Sequence, residues 1–365
     1  MKKLSCIALL SISLLYSCQP SSSFEESIQN QSNIQKPLKT EHFIREHLQV
    51  DNGQLQTNLT DRKNEFLSES MGLWMAYLLE KNDRVQFHEQ VNILQDIFLT
   101  KDHLVIWEIK DGQAASANAF IDDLRIVDLL YQAGEKWAYA PYTNLANQMA
   151  KALNSYQTEK HYLVDFIDVH SKKRGKSVTL SYIMPSGLDQ MRQAQQLHET
   201  TYTTMKTLLV NAPLSTSHLY PQSYDIVTEQ YMYDEEVNMI DQFYIAYHLA
   251  QWNEDISSFV SMAKELFERA DGKIFGRYDH SSKDPIVTYE SAAVYGLAIL
   301  MCLEIDDDVF AQQLYDRMKT LQYNDQNAKL DGGYIDPTSN ETHSFDNLLA
   351  LLAERKGLNQ GVFDE

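Results

Sequence analysis

The chain has 365 residues, of which 44% are hydrophobic, so it holds enough apolar sequence for one large core or two modest ones. Its formal net charge of -20 argues against nucleic acid as a partner, because phosphate binding needs a basic surface. An acidic surface is otherwise ordinary for a soluble protein, and composition alone therefore assigns no activity.

The N-terminal segment is predicted to be targeting sequence rather than part of the fold. Lys2 and Lys3 precede an apolar stretch, CIALLSISLLY, that is too short for a good membrane span. The following LLYSC resembles a bacterial lipobox, in which the cysteine is acylated and becomes the new N-terminus. This resemblance implies a signal peptide over residues 1–17 and a lipid on Cys18, which begins a flexible tether over residues 18–38. The alternative is an ordinary secretory signal with an incidental cysteine.

Beyond Pro37 the sequence follows a nearly continuous helical pattern, and its segments are of two alternating kinds. Segments of the first kind are apolar on nearly all sides. They are LSESMGLWMAYLLEK, AFIDDLRIVDLLYQAG, EVNMIDQFYIAYHLAQW and TYESAAVYGLAILMCLE. A helix that is apolar all round has to be buried on every side, so these segments predict inner helices.

Segments of the second kind carry a single apolar stripe. In DRVQFHEQVNILQDIFL, for example, Phe87, Val91 and Phe98 fall on one face, with charged and amide side chains opposite. The segments NLANQMAKAL, ISSFVSMAKELFERA and DVFAQQLYDRMKTL repeat the pattern. One-sided stripes are typical of helices with one face in solvent, so these segments predict outer helices.

The order of the two kinds predicts the architecture. A fully apolar segment is followed, after a short polar turn, by a one-sided segment, which predicts repeated inner–outer hairpins. Weaker patterns near Lys39–Leu48, near Gln196–Val210 and in SFDNLLALLAER bring the total to about twelve helices. Six hairpins in a ring predict an all-α (α/α)6 toroid over residues 39–365. Short strands are predicted only in loops, chiefly in HYLVDFIDVHSKKRGKSVTLSYIMP.

Acidic residues stand near the N-terminal ends of the predicted inner helices. They are Glu69, Asp122, Asp123, Asp241 and Glu290. One interpretation is helix capping, since a carboxylate in a first turn meets free N–H groups and the helix dipole. Several acids on otherwise apolar helices favour a shared cleft instead, because burying charge costs more free energy than a cap returns.

Four motifs carry a resemblance to a known family. FLSESMGLWMAYLL resembles the first signature of glycoside hydrolase family 8, whose general acid falls on Glu69. ANAFIDDLRIVDLLYQAGEKW resembles the second signature, although Ile121 replaces its first Asp and only Asp123 matches its second. SYIMPSGLD is similar to an N-P-S-Y-like loop. TYESAAVYGL resembles the Y-D-A-x-R-V-Y segment that holds the catalytic base, with Glu290 in place of Asp.

The resemblance implies an inverting glycosidase that cleaves β-linked polysaccharide without a metal or a cofactor. Such an enzyme needs a protonated acid and a carboxylate base roughly 6.5–9.5 Å apart. Glu69 is the predicted acid, because its apolar surroundings should raise its pKa. Glu290 is the favoured base, with Asp123 positioning the water or the sugar, and the reverse assignment remains open. Asp122 is predicted to line the same cleft.

Three aromatic residues are candidates for stacking on sugar rings. They are Trp107, Tyr182 and Trp74, and a core position is the favoured interpretation for Trp74. The resemblance is to a divergent branch whose anchored members trim exopolysaccharide outside Gram-positive cells. It implies a monomer on the outer face of the cytoplasmic membrane.

Two other functions are consistent with parts of the pattern. A non-catalytic, surface-anchored glycan-binding lipoprotein would keep the aromatic residues and tolerate loss of Glu69. Another (α/α)6 carbohydrate enzyme, such as a polysaccharide lyase or an unsaturated-uronide hydrolase, is disfavoured by the acid-rich inner helices. A solute-binding lipoprotein is disfavoured because that class needs alternating strands and helices.

Overall fold

The structure is a computed structural model that describes residues 33–325 and 328–364. Within these ranges the chain forms twelve α-helices. They are α1 Lys39–Phe43, α2 Ser68–Glu80, α3 Arg84–Ile93, α4 Phe120–Lys136, α5 Ala140–Ala152, α6 Pro185–Gln193, α7 Glu199–Val210, α8 Met239–Gln251, α9 Ser257–Arg269, α10 Ala292–Glu304, α11 Asp308–Leu321 and α12 Ser344–Gln360. Helices α1, α3 and α5 continue into π-helical turns at Ile44–Leu48, Leu94–Phe98 and Leu153–Gln157.

Six of these helices form a closed inner ring. Helices α2, α4, α6, α8, α10 and α12 each contact the next, and α12 contacts α2. The intervening helices lie outside the ring, and α9 joins it where the rings of Phe259 and Phe243 lie 5.4 Å apart. The predicted all-α (α/α)6 toroid is therefore confirmed.

The inner helices are buried as their sequences predict, and small residues let them approach closely. Every residue of α10 from Ala292 to Leu303 is buried. A Cβ atom on Gly296 would lie 2.8 Å from the carbonyl oxygen of Leu349 in α12, closer than real Cβ atoms come. Glycine at this position is therefore a requirement of the packing between the two helices.

One inner helix, α6, is absent from the sequence prediction. Only four of its nine residues, PSGLDQMRQ, are buried, and the sequence there resembles a loop motif. It begins at Pro185, whose missing N–H is tolerated in a first helical turn. Gly187 allows the close contact with α4, because a Cβ there would lie 3.1 Å from the carbonyl oxygen of Leu124.

Ten short strands complete the described chain. They are β1 Glu65–Leu67, β2 Glu108–Lys110, β3 Gln113–Ala114, β4 Thr158–Glu159, β5 Tyr162–Leu163, β6 Ser177–Thr179, β7 Ser223–Asp225, β8 Gln230–Met232, β9 Glu236–Asn238 and β10 Arg277–Asp279. They pair antiparallel in four small sheets, ordered β1-β2-β3, β4-β5, β6-β7-β8 and β9-β10. Strands β1 and β9 run directly into α2 and α8, so their two sheets lie where these inner helices begin.

The N-terminal predictions fall mostly outside the described ranges. The signal peptide over residues 1–17 and the lipidated Cys18 are not among the described residues, and the predicted tether over residues 18–38 is described only from residue 33. Ile34–Glu365 forms one compact unit. In the described part of the chain, no helix combines the length and apolar character needed to cross a bilayer.

Candidate active site

The inner helices begin at one end of the barrel, because each outer helix returns the chain to that end. Glu69 is the second residue of α2, Asp122 the third of α4 and Asp241 the third of α8. In each case an extended residue precedes the helix, so its first turn starts abruptly. The carboxylates thus meet the positive ends of the helix dipoles at one mouth of the barrel.

Glu69 and Asp122 form the electrostatic centre of this end. Burial, together with the nearby carboxylate of Asp122, raises the pKa of Glu69 to about 8. Asp122 is itself buried, and it accepts hydrogen bonds from Ser68 Oγ at 2.7 Å and from Arg125 Nη1 at 2.9 Å. A carboxylic acid with this pKa keeps its proton at neutral pH, as a general acid must.

Arg125 is a buried cation behind this pair, and the sequence interpretation gave it no role. Its Nη1 pairs with Asp122, and its Nη2 donates to the hydroxyl of Tyr244 at 3.4 Å. Gly72 of α2 leaves room for it, since a Cβ there would lie 3.1 Å from Arg125 Cδ. The signal in the sequence was an arginine inside an apolar helix, three residues after an aspartate.

Tyr182 is influenced by the charges of Glu69, Asp122 and Asp241. Its half-buried phenol is on a short 3₁₀ turn, Leu180–Tyr182, that directly follows β6. Burial, and then the charges of Asp122, Asp165, Asp241 and Glu69, raise the pKa of Tyr182 far above its ordinary value. Carboxyl groups from distant parts of the chain therefore act electrostatically on the Tyr182 hydroxyl.

Asp241 is a further acid in the first turn of an inner helix, α8. It is half-buried, and its Oδ1 accepts a hydrogen bond from Ser181 Oγ at 2.7 Å. Burial raises the pKa of Asp241, and the hydrogen bond from Ser181 and the charge of Arg277 partly oppose that effect. The sequence placed Asp241 among the acids of the inner helices but assigned it no role.

Asp123 is directed to a loop rather than to this group. It is 1% exposed, and its Oδ2 accepts hydrogen bonds from the Val105 amide at 3.2 Å and from Asn118 Nδ2 at 3.1 Å. Burial raises the pKa of Asp123 well above the usual range. The side chain thereby ties α4 to the loop that carries Trp107.

Glu290 precedes α10 and faces the outer layer. Tyr295 donates to its carboxylate at 2.5 Å, and Arg317 Nε, from the outer helix α11, donates at 2.8 Å. Burial would raise the pKa of Glu290, but the hydrogen bonds from Arg317 and Tyr295 lower it. The structure therefore joins Glu290 to an outer helix through its ion pair with Arg317.

The predicted aromatic residues separate into two environments. Trp107 is half-buried next to Glu69, because its carbonyl oxygen accepts a hydrogen bond from the Ser68 amide at 3.0 Å. Trp74 is 0% exposed, and its ring stacks on that of Tyr77 at 5.3 Å. The Trp74 ring is therefore inaccessible to a sugar in this structure and belongs to the core.

Three further aromatic residues are exposed on loops and were not predicted from the sequence. Phe166, which is 47% exposed, follows Asp165, and Tyr289, which is 53% exposed, precedes Glu290. Tyr233 is also exposed, on the loop that leads to β9. Helical periodicity contains no signal for such loop residues. Within the described ranges, no group of three or more His, Cys, Asp or Glu residues is arranged to hold a metal ion.

The class of protein follows from comparison with solved structures. Endoglucanase Cel10 from Klebsiella pneumoniae, a family 8 glycosyl hydrolase, matches with a TM-score of 0.62 and 15% identity, over 88% of this chain and 99% of that one. The chain thus has the (α/α)6 fold of glycoside hydrolase family 8, which confirms the resemblance at the level of the fold.

Two solved structures are more similar in sequence. A novel alpha-amylase from Clostridium perfringens matches with a TM-score of 0.82 and 27% identity, over 87% of this chain and 96% of that one. PssZ from Listeria monocytogenes matches with a TM-score of 0.72 and 25% identity, over 89% and 98%. Both therefore share the whole architecture and not only one half of it.

A curated relative shows the particular family. The protein named "Putative lipoprotein YdaJ" from Bacillus subtilis (strain 168) is 40% identical over 339 residues, which cover 92% of each chain. The chain belongs to the family of YdaJ. No family model matches the sequence.

Proposed function

We propose that the protein is a glycoside hydrolase that cleaves polysaccharide with inversion at the anomeric carbon. The observation that carries the proposal is the position of Glu69 in the first turn of an inner helix at the mouth of an (α/α)6 barrel, near the Asp122–Arg125 pair, where burial raises the pKa of Glu69. A desolvated acid that stays protonated at neutral pH can donate its proton to a departing glycosidic oxygen. The fold that the chain shares with family 8 hydrolases supports the same chemistry.

In the proposed reaction, Glu69 protonates the glycosidic oxygen as the bond to the anomeric carbon breaks. A water molecule attacks that carbon from the opposite face, and Asp241 accepts the proton of the water. The two carboxyl groups of such a pair are typically 6.5–9.5 Å apart, which leaves room for the water. Asp241 is the better base than Glu290, because Glu290 is held by Arg317 on the outer helix.

The neighbours of the acid adjust its proton affinity. The negative charge of Asp122 favours the protonated form of Glu69, while Arg125 opposes it. Once Glu69 has given up its proton, the same guanidinium stabilises the carboxylate that remains. Asp123 positions the loop with Trp107, and we infer that Trp107 and Tyr182 contact the sugar.

The proposed substrate is a β-linked polysaccharide of the exopolysaccharide or β-glucan type, as expected for the fold of β-glucanases. An α-glucan is the second candidate, because the Clostridium perfringens protein that is 27% identical to this chain is described as an alpha-amylase. A non-catalytic glycan-binding role would make Glu69 dispensable. Desolvation of Glu69 beside Asp122 disfavours that role, because it costs free energy and a sugar-binding platform does not need it.

A panel of polysaccharides tests the proposed function. We expect new reducing ends from at least one member when the purified protein is incubated with cellulose, chitosan, xylan, mixed-linkage glucan, amino-sugar exopolysaccharide and starch. The Glu69→Gln variant serves as the matched control for contaminating hydrolases. Binding without cleavage would support the glycan-binding alternative, and neither binding nor cleavage would contradict both.

We further propose that the protein is a lipoprotein on the outer face of the cytoplasmic membrane of a Gram-positive bacterium. The LLYSC segment and the name of the Bacillus subtilis relative support this. We expect Cys18→Ala to release the protein into the medium or to leave it as the unprocessed precursor. Fractionation and intact-mass measurement distinguish these results. An unchanged mass and an unchanged membrane fraction would exclude acylation at Cys18.

A further inference from the structure

We propose that a groove on the outer surface of the barrel is a second binding site, for a neutral glycan chain. It lies between helix α7 and the strands β5, β7 and β8, and its volume is about 400 Å³. Ligand sites typically span about 300–1,000 Å³. The groove is formed chiefly by Tyr162, Tyr224, Tyr231, Thr203, Thr207 and Asn211. The residues of the candidate active site are not among those that line it.

The strand side of the groove is a cluster of tyrosine rings. The ring centroids of Tyr162 and Tyr224 lie 5.5 Å apart, and those of Tyr224 and Tyr231 lie 5.1 Å apart. All three rings are half-buried, so each leaves part of its surface in the groove. Tyr231 is fixed by the hydrogen bond from its hydroxyl to the carbonyl oxygen of Leu208, at 2.7 Å.

Such a cluster has the properties of a sugar platform. The C–H groups of a pyranose present an apolar face that packs on an aromatic ring, while the tyrosine hydroxyls bond to water or to sugar hydroxyls. Because the rings already support one another, little side-chain entropy is lost when a ligand binds.

The helix side of the groove supplies neutral polar groups. Thr203, Thr207 and Asn211 are spaced four residues apart, and all three are exposed. Their hydroxyl and amide groups can both donate and accept hydrogen bonds, as sugar hydroxyls do. Among the residues that line the groove, Glu229 is the one charged side chain. The chemistry therefore fits a neutral glycan and disfavours a uronate or a phosphorylated polymer, which would need a cation.

The groove shares a sheet with the candidate active site. Strand β6 pairs with β7, which carries Tyr224, and β6 continues directly into the turn that carries Tyr182. A polymer held in the groove would therefore stay near the barrel mouth, which raises its effective concentration there. The identity of the glycan rests on the proposed function, but the existence of the groove site does not.

The test changes residues of the groove and keeps the barrel mouth the same in all the proteins that are compared. Thr207→Trp, at an exposed position of α7, blocks the groove, and Tyr224→Ala removes the central ring. Gln313→Trp, at an exposed position of α11, is the matched control. All are made in the Glu69→Gln background, so that the polysaccharide is not consumed, and circular dichroism checks their folding.

Binding is measured by affinity electrophoresis in gels that contain each neutral polysaccharide of the panel. We expect Thr207→Trp and Tyr224→Ala to weaken retardation by about 3- to 10-fold, as for loss of one aromatic contact. Gln313→Trp should migrate as its parent does. The groove site would be overturned if all three variants were retarded as strongly as the parent, or if no polysaccharide retarded the parent. A protein that binds through the groove but cleaves nothing would contradict the proposed function alone.

Discussion

Replacing Glu69 by Gln is expected to lower kcat on the natural polysaccharide by about 10²–10⁴-fold, the usual contribution of a general acid. The amide keeps the shape of the side chain but has no proton of suitable acidity to donate to the leaving oxygen. Binding of the glycan should therefore persist. Steady-state kinetics measures the first effect, and affinity electrophoresis measures the second.

The pH profile gives this prediction a second readout. Glu69 acts in its protonated form, so activity should be present below its pKa of about 8 and should fall as the pH rises through that value. Asp122→Asn removes a neighbouring negative charge and should move the alkaline limb of kcat/KM to lower pH. The Glu69→Gln variant should have no limb near this pKa of about 8.

Substrates with different leaving groups distinguish the loss of the general acid from the loss of other functions of the site. An activated aryl glycoside needs no proton to depart, so the rate of the Glu69→Gln variant should recover on that substrate. Glu89→Gln, at an exposed position of α3, is the matched control and should behave as the wild type. Near-full activity of Glu69→Gln on the natural glycan would contradict the assignment of Glu69 as the acid.

The fold could be predicted because the burial of each helix determines how its apolar residues are spaced in the sequence. Inner helices such as α10 are apolar on every side, and outer helices such as α3 have one stripe, so alternation alone indicates the toroid. Helix α6 was not predicted because it is short and because its packing depends on the contact of Gly187 with Leu124. Close approach of two backbones at a glycine has no periodic signature.

The candidate site was only partly predictable, for a different reason. Glu69 and Asp122 are acids inside apolar helices, and such acids can be recognised directly in the sequence. The direction of a side chain is set by its partners, and these are remote in sequence. Glu290 pairs with Arg317 on an outer helix, and Asp123 with Asn118 on a loop. The helical pattern placed these acids near the starts of inner helices, but it contains no signal for the partners of each carboxylate.

Asp241→Asn is expected to lower kcat by orders of magnitude on every substrate, including activated aryl glycosides. Water must lose a proton as it attacks, whatever the leaving group, so a good leaving group cannot replace the base. Titration of Asp241 is also expected to produce the acidic limb of the wild-type pH–activity profile. Because burial raises the pKa of Asp241, activity should be present above that raised value and should be lost as the pH falls through it.

Azide and the Glu290→Gln variant complete the test of the base. Azide attacks without losing a proton, so it should restore turnover to Asp241→Asn and yield a glycosyl azide of inverted configuration. It should not restore Glu69→Gln on the natural glycan, where the leaving group still lacks its proton. Glu290→Gln disrupts the ion pair with Arg317 and should lower the unfolding temperature, while kcat should change little. If Glu290→Gln is inactive and rescued by azide while Asp241→Asn remains active, Glu290 is the base and the assignment of Asp241 is wrong.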